Sequence, residues 1–105
     1  MSSNLVQELY KLLEFKERLL MISLREGSML KRDDPEFLRC LEIAEVACAD
    51  CKDQDKRKLA KQVVGHIRQF NPFNTSDVDE NEFLSQVIED FLNFSRIRIE
   101  KLTEK

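Results

Sequence analysis

The scarcity of Gly and Pro is the feature that most constrains the fold of this chain. Only two residues of each type occur among 105. Because turns depend on these residues more than on most others, so few of them imply few turns and therefore few, long elements. Within the long segments, apolar residues recur at the spacing of an amphipathic helix. The sequence therefore predicts an all-α protein.

Four helices are predicted, near residues 4–26, 34–52, 55–70 and 79–103. Gly27 follows the last periodic residue of the first segment and suits the C-terminal end of a helix. Asp34-Pro35 is typical of a helix start, because Asp accepts hydrogen bonds from free backbone N–H groups and Pro needs no such bond. Asp77, with Glu80 three residues later, resembles a capping box before the last helix. Short connections favour an up-down-up-down four-helix bundle, one domain over residues 1–105.

The composition and simple features of the sequence argue against several classes of function. The chain has a net charge of −3, which argues against a nucleic-acid binder. No apolar run approaches the ~18 residues that a membrane span requires. The first residues lack a basic stretch followed by an apolar block, so we expect no secretory signal. Three cysteines, an odd number, are interpreted as reduced thiols in the cytoplasm.

The cysteines are candidates for a metal site or a redox site. Cys48 and Cys51 form a C-x-x-C motif, and Cys40 and His66 are near it in sequence. Eight residues of helix separate Cys40 from Cys48 by about 12 Å, and an antiparallel hairpin would place His66 level with Cys40 only. Four such ligands cannot meet at one zinc ion. We therefore expect no metal and no cofactor, and three mostly buried thiols on one helix face; a thiol-based redox sensor is an alternative hypothesis.

The third helix carries a cluster of basic residues. Lys56, Arg57, Lys61 and Arg68 could contact phosphates or dock an acidic protein. No aromatic residue is interleaved for base stacking, and no helix-turn-helix pattern with a Gly turn is visible. The sequence favours a solvated face, with a nucleic-acid-associated accessory protein as a further alternative.

The first and last helices carry more large apolar residues than one core-facing stripe can hold. Phe15 and Ile22 fall off the main face of the first helix, and Phe83, Phe94 and Ile97 fall off that of the last. If these five side chains stayed in water together, they would form a patch of several hundred Å², roughly the largest that soluble monomers show. The pattern predicts a surface that binds protein, with a homodimer as its first form. The alternative is that Met29, Leu30, Pro72 and Phe73 fold over it.

No arrangement of residues in the sequence indicates a catalytic site. A Gly-rich phosphate loop, a nucleophile elbow and paired carboxylates on facing elements are all missing from the pattern. The leading hypothesis is therefore a small helical adaptor, regulator or inhibitor that acts by binding another protein and catalyses no reaction.

Overall fold

The computed structural model describes residues 3–27, 30, 34–74 and 81–103 of the chain. These residues form four α-helices and one short 3₁₀ turn, and none of them lies in a β-strand. The all-α prediction is confirmed. The helices are α1 (Ser3–Glu26), α2 (Pro35–Ala49), α3 (Gln54–Gln69) and α4 (Asn81–Lys101), and the 3₁₀ turn is Pro72–Asn74.

The predicted starts and stops agree with the structure to within three residues. Gly27 has a φ of +64°, the left-handed conformation expected after the end of α1. The Asp34 carboxylate accepts hydrogen bonds from the backbone N–H groups of Glu36 and Phe37 at 3.0 and 3.1 Å. The largest difference is at α2, which ends at Ala49 rather than near residue 52. The Asp77–Glu80 capping box lies outside the described residues.

Asp53 is a helix cap that was not predicted from the sequence. Its carboxylate accepts hydrogen bonds from the N–H groups of Asp55 and Lys56 at 3.0 and 3.2 Å, so α3 begins at Gln54 instead of near residue 55. A cap of this kind typically stabilises a helix by about 1 kcal/mol. Cys51 lies in the turn between α2 and α3, because α2 ends at Ala49.

The four helices differ in how many of the other helices they contact. Helices α1 and α3 contact each other and both remaining helices, whereas α2 and α4 share no contact within the described part of the chain. The 3₁₀ turn packs against α4. Helices α2 and α4 are therefore the outer members of the bundle, and each has a face that no other described helix covers.

The core is a single cluster of aliphatic and aromatic side chains. Burying one of these fully contributes roughly 1.5–3 kcal/mol. The largest side chains that are almost wholly excluded from solvent are Leu9, Leu12, Leu13, Leu20, Val63, Ile67, Ile88 and Ile99. Among the residues whose burial is described, one charged residue is also buried: Lys16 is 2% exposed, and its Nζ lies 5.4 Å from the centroid of the Phe37 ring. An ammonium over an aromatic face is a cation–π contact, which is strongest away from water.

Among the described helices, none is both long enough and apolar enough to cross a bilayer.

Candidate docking surface

The outer face of α4 carries the largest exposed apolar side chains of the described residues. Phe83, Phe94 and Ile97 are 63%, 48% and 54% exposed. Val87 is half-buried and Asp90 is exposed on the same face. The five residues are spaced by four, three, four and three, which is the spacing of a coiled-coil seam. This set, Phe83, Val87, Asp90, Phe94 and Ile97, is called the α4 stripe below.

The α4 stripe faces away from α1 and borders α3. Arg96 of α4 forms an ion pair with Glu17 of α1 at 3.6 Å, which identifies the flank of α4 that faces α1. Phe94 precedes Arg96 by two residues, or about 200° around the helix, so it lies on the opposite flank. There its ring lies 6.1 Å from that of His66 on α3.

Aromatic rings pack against one another along the border between α3 and α4. Phe70 stacks on Phe91 with a centroid distance of 3.9 Å and parallel planes. The His66 ring lies 5.2 Å from Phe91 and 6.2 Å from Phe70. Aromatic pairs at such distances stabilise one another beyond simple burial. Phe94 therefore lies against an ordered cluster and is held in place.

One cationic group and one neutral imidazole lie beside the α4 stripe. The Arg98 guanidinium lies 4.4 Å from the centroid of the Phe94 ring, a cation–π contact. Partial burial, followed by repulsion from Arg98, lowers the pKa of His66 below its usual 6.5. His66 is therefore neutral at neutral pH, and its ring can be covered by a partner without desolvating an additional charge.

The structure does not bring all five predicted contact residues together. Phe15 is half-buried, with its ring 6.0 Å from that of Phe37 on α2 and the Arg18 guanidinium 5.0 Å from its centroid. Ile22 is exposed, and it lies seven residues after Phe15 on the same flank of α1. That flank faces α2, whereas the α4 stripe borders α3. Only Phe83, Phe94 and Ile97 share one surface.

The connections between the helices cover part of the core, but they leave four of the five predicted contact residues exposed. Leu30 and Phe73 are buried members of the core cluster, and Pro72 is half-buried. Ile22 and the three apolar residues of α4 nevertheless remain among the most exposed large apolar side chains. Met29, the other residue expected to provide cover, lies outside the described residues.

A second exposed apolar face lies on α2 and was not predicted from the sequence. Leu38, Ile43 and Val46 are all exposed. They lie outside the core face of α2, which consists of Phe37, Leu41, Ala44 and Cys48. The signal is present in the sequence, since a helical wheel of α2 shows large apolar residues outside the face that carries its small residues.

The cysteines are less buried than predicted. Cys48 is buried, but Cys40 and Cys51 are half-buried, because α2 ends before Cys51 and Cys40 lies at the edge of the core face. The Cys51 thiol donates a hydrogen bond to the Asp53 carbonyl at 3.6 Å. Burial, then the neighbouring Cys51, raises the pKa of Cys48 to about 11. Within the described residues no group of three His, Cys, Asp or Glu side chains is placed to hold a metal ion.

The basic residues of α3 are partly engaged within the chain. Arg68 forms an ion pair with Glu45 of α2 at 3.9 Å, and Arg57 donates a hydrogen bond to the Cys51 carbonyl at 3.4 Å. Lys61 is exposed and Lys56 half-buried. These contacts place Arg57 and Arg68 on the flank of α3 that faces α2, away from the α4 stripe.

The described side chains thus present exposed apolar residues along the α4 stripe, with Asp90 among them and Arg98 beside them, which is an arrangement suited to contact with another macromolecule. Comparison with protein-family models, curated proteins and solved structures finds no match for this chain.

Proposed function

We propose that this protein is a small helical interaction module that binds another protein through the α4 stripe and catalyses no reaction. The observation that carries the proposal is the exposure of Phe83, Phe94 and Ile97 at coiled-coil spacing on an outer helix. A single exposed apolar residue is ordinary on a protein surface, but three large ones on the same side of one helix indicate an interface.

The spacing also indicates the shape of the partner. Residues at alternating intervals of three and four lie along one line of a helix, and a second helix packs best against such a line. The proposed partner therefore presents a helix with its own apolar stripe. Such an α-helical partner could be a second copy of this chain, as expected for a homodimer, or a different protein that this one recruits, regulates or inhibits.

Two further features belong to the proposal. We propose that the bundle is arranged up-down-up-down, which is supported by short connections and by contacts between every pair of helices consecutive in sequence. We also propose a cytoplasmic location, which is supported by three cysteines without a disulfide among them.

The two alternative functions receive less support. A phosphate-binding face would need free cations, but Arg57 and Arg68 already have partners within the chain. A thiol sensor would need an accessible thiolate, but Cys48 is buried with a raised pKa.

The test is site-specific photo-crosslinking in the native cell. A photoreactive phenylalanine analogue at position 94 should yield a covalent adduct with one protein, because this side chain would be covered in the complex. The same analogue at Lys58, an exposed polar position on α3, provides the matched control. Equal adduct yields at positions 94 and 58, or no adduct at 94, would refute the proposal.

A further inference from the structure

We infer that the α4 stripe of one copy binds the outer face of α2 on a second copy, with the two helices parallel and Asp90 of one opposite Arg39 of the other. This inference rests on the proposed function and specifies the partner, the surface that it offers and its orientation. It is carried by a row of exposed residues on α2, whose spacing and charges match those of the α4 stripe.

The row on α2 has the spacing of a coiled-coil seam. Four exposed residues follow one another at intervals of four, three and four, and they are called the α2 row: Arg39, Ile43, Val46 and Asp50. These intervals place the row on the side of α2 that faces away from the core, and Asp50 keeps helical backbone angles as the C-cap. The α4 stripe continues in the same way, because exposed Lys101 follows Ile97 by four residues.

The charges at the ends of the two rows select a parallel orientation. In the parallel pair the rows meet in four layers, two apolar layers between two layers of opposite charge: Arg39–Asp90, Ile43–Phe94, Val46–Ile97 and Asp50–Lys101. In the antiparallel pair the same ends would bring Arg39 beside Lys101 and Asp50 beside Asp90. Because like charges that meet at an interface oppose binding, the parallel pair is favoured.

The two carboxylates select the register. Shifting α2 by one heptad toward the N-terminus of α4 would cover Phe83, but it would also place Asp90 against Val46 and Asp50 against Phe94. A carboxylate buried in an apolar layer without a cation is costly. In the inferred register each carboxylate has a cation in its layer, and Phe83 lies beyond the first residue of the other copy's α2, so it takes no part in the contact.

A further pair of charges lies at the edge of the apolar layers. Glu42 immediately precedes Ile43, and Arg98 immediately follows Ile97. In parallel coiled-coil packing these two positions lie beside each other, and ion pairs between them influence the choice and orientation of the partner. The Arg98 guanidinium lies 4.4 Å from the centroid of the Phe94 ring, so it is already held at this edge.

The contact joins two different surfaces. Helices α2 and α4 are the outer members of the bundle and share no contact within the described residues, so one copy can offer its α2 row to one neighbour and its α4 stripe to another. Such a heterologous contact builds a ring or an open chain of copies. Because four layers form a smaller interface than stable complexes have, we expect the association to be weak.

The first experiment measures the mass of the full chain by sedimentation equilibrium between about 10 and 500 µM, a range suited to weak binding. Wild type should form dimers and larger species as its concentration rises. Ile43→Asp and Phe94→Asp should each remain monomeric, because each places a carboxylate in an apolar layer. Ile22→Asp is the matched control and should associate like wild type, since Ile22 is 45% and Ile43 44% exposed but Ile22 lies on α1.

The decisive measurement is an equimolar mixture of the Ile43→Asp and Phe94→Asp chains. The intact α2 row of one chain can then meet the intact α4 stripe of the other, and the two altered surfaces stop further growth. The mixture should form a 1:1 dimer with the affinity of a single wild-type contact to within about threefold, and no larger species. No recovery on mixing would overturn the inference, as would wild type remaining a monomer over the whole range.

Charge reversal tests the orientation. Arg39→Asp and Asp90→Arg should each weaken association about tenfold, because each replaces an attractive layer by a repulsive one. A chain with both changes restores the pair with exchanged charges and should recover wild-type affinity to within about threefold. Stronger association of Arg39→Asp would indicate antiparallel helices and overturn the inference, as would no recovery in the double variant.

These outcomes are distinguishable from failure of the proposed function. A monomeric wild type that still crosslinks to a different protein through position 94 would overturn the self-association and support the binding function. A crosslink from position 94 to α4 of a second copy would do the same, whereas a crosslink to α2 of a second copy would support both. A monomeric wild type with no crosslink at position 94 would overturn both.

Discussion

Burial determines the chemistry available to Cys48. Its thiol is enclosed by the contact between α2 and its neighbours, and its pKa of about 11 leaves on the order of one thiol in 10,000 ionised at pH 7. Since the thiolate is the reactive form, this cysteine acts as a small core residue. The half-buried Cys40 and Cys51 are the more accessible thiols.

A chain that carries Cys40→Ser and Cys51→Ser isolates Cys48 for measurement. We expect its reaction with a disulfide reagent at pH 8 to be at least about 100-fold slower in the folded protein than in urea, where the thiol regains an ordinary pKa. The readout is absorbance of the released thiolate. Equal rates in the two states would contradict the buried position.

Ser95 is a second residue whose environment permits a prediction. Its hydroxyl is buried in the core face of α4, and no hydrogen-bond partner for it is found among the described residues. Removing an unsatisfied buried polar group stabilises the folded state. Ser95→Ala should raise the free energy of unfolding by about 1 kcal/mol in urea denaturation. A loss of stability would mean that the hydroxyl has a partner.

His66 should make stability depend on pH. Its pKa in the folded protein is lowered by burial and by Arg98, so the unfolded chain binds the proton more readily. The stabilising contribution of neutral His66 is complete above its unfolded pKa of 6.5 and is lost as the pH falls below that value toward the folded pKa. His66→Asn should show a smaller fall in urea midpoint between pH 7.5 and pH 5 than wild type; identical falls would exclude a role for His66.

At the scale of the secondary-structure element, the two glycines differ in their effect on the stability of their helices. Gly27 ends α1 with a φ of +64°, a conformation that strains other residues. Gly65 lies within α3, where glycine costs conformational entropy. A Cβ added at either position would meet no atom of the described residues within 4 Å, so backbone conformation decides the effect.

The two alanine substitutions should therefore have opposite signs. Gly27→Ala should lower the free energy of unfolding by roughly 1 kcal/mol, and Gly65→Ala should raise it by roughly 0.5–1 kcal/mol. Thermal unfolding followed by circular dichroism measures both, and each variant is the control for the other. A shared sign would show that packing outweighs conformation at one of these positions.

At the scale of the whole molecule, α1 and α3 form the interior of the bundle and leave α2 and α4 with uncovered faces. The face of α4 borders the stacked rings of Phe70 and Phe91, whereas no stacked ring pair borders Leu38, Ile43 and Val46 of α2 within the described residues. This difference is the reason for placing the primary interface on α4. The α2 face remains a second exposed apolar surface on the opposite side of the bundle.

A dimer that forms through α4 would link folding to concentration. When the native state is dimeric, mass action raises the midpoint of thermal unfolding by roughly 3 °C for each tenfold increase in concentration in a chain of this size. Phe94→Asp should abolish this dependence and retain helical circular dichroism. A wild-type midpoint that does not change between 5 and 500 µM (about the accessible range) would indicate a folded monomer.

The helices of this protein follow from short-range information in the sequence. Their period, the Asp34-Pro35 start and the Gly27 stop each depend on residues within about one turn, so they were predictable without a structure. The start of α3 was predicted less accurately, because Asp53 and Asp55 are both residues that can cap a helix and only Asp53 caps α3.

The candidate surface depended on tertiary structure. Phe15 and Phe94 look alike on helical wheels, since each lies outside the main apolar stripe of its helix. Only packing shows that α2 partly covers Phe15 whereas Phe94, beside α3, stays exposed. Packing likewise buries Lys16 against Phe37. The helical period specifies which residues share a face of a helix. Whether that face is buried depends on residues that are distant in sequence, and the local sequence pattern does not specify where those residues lie.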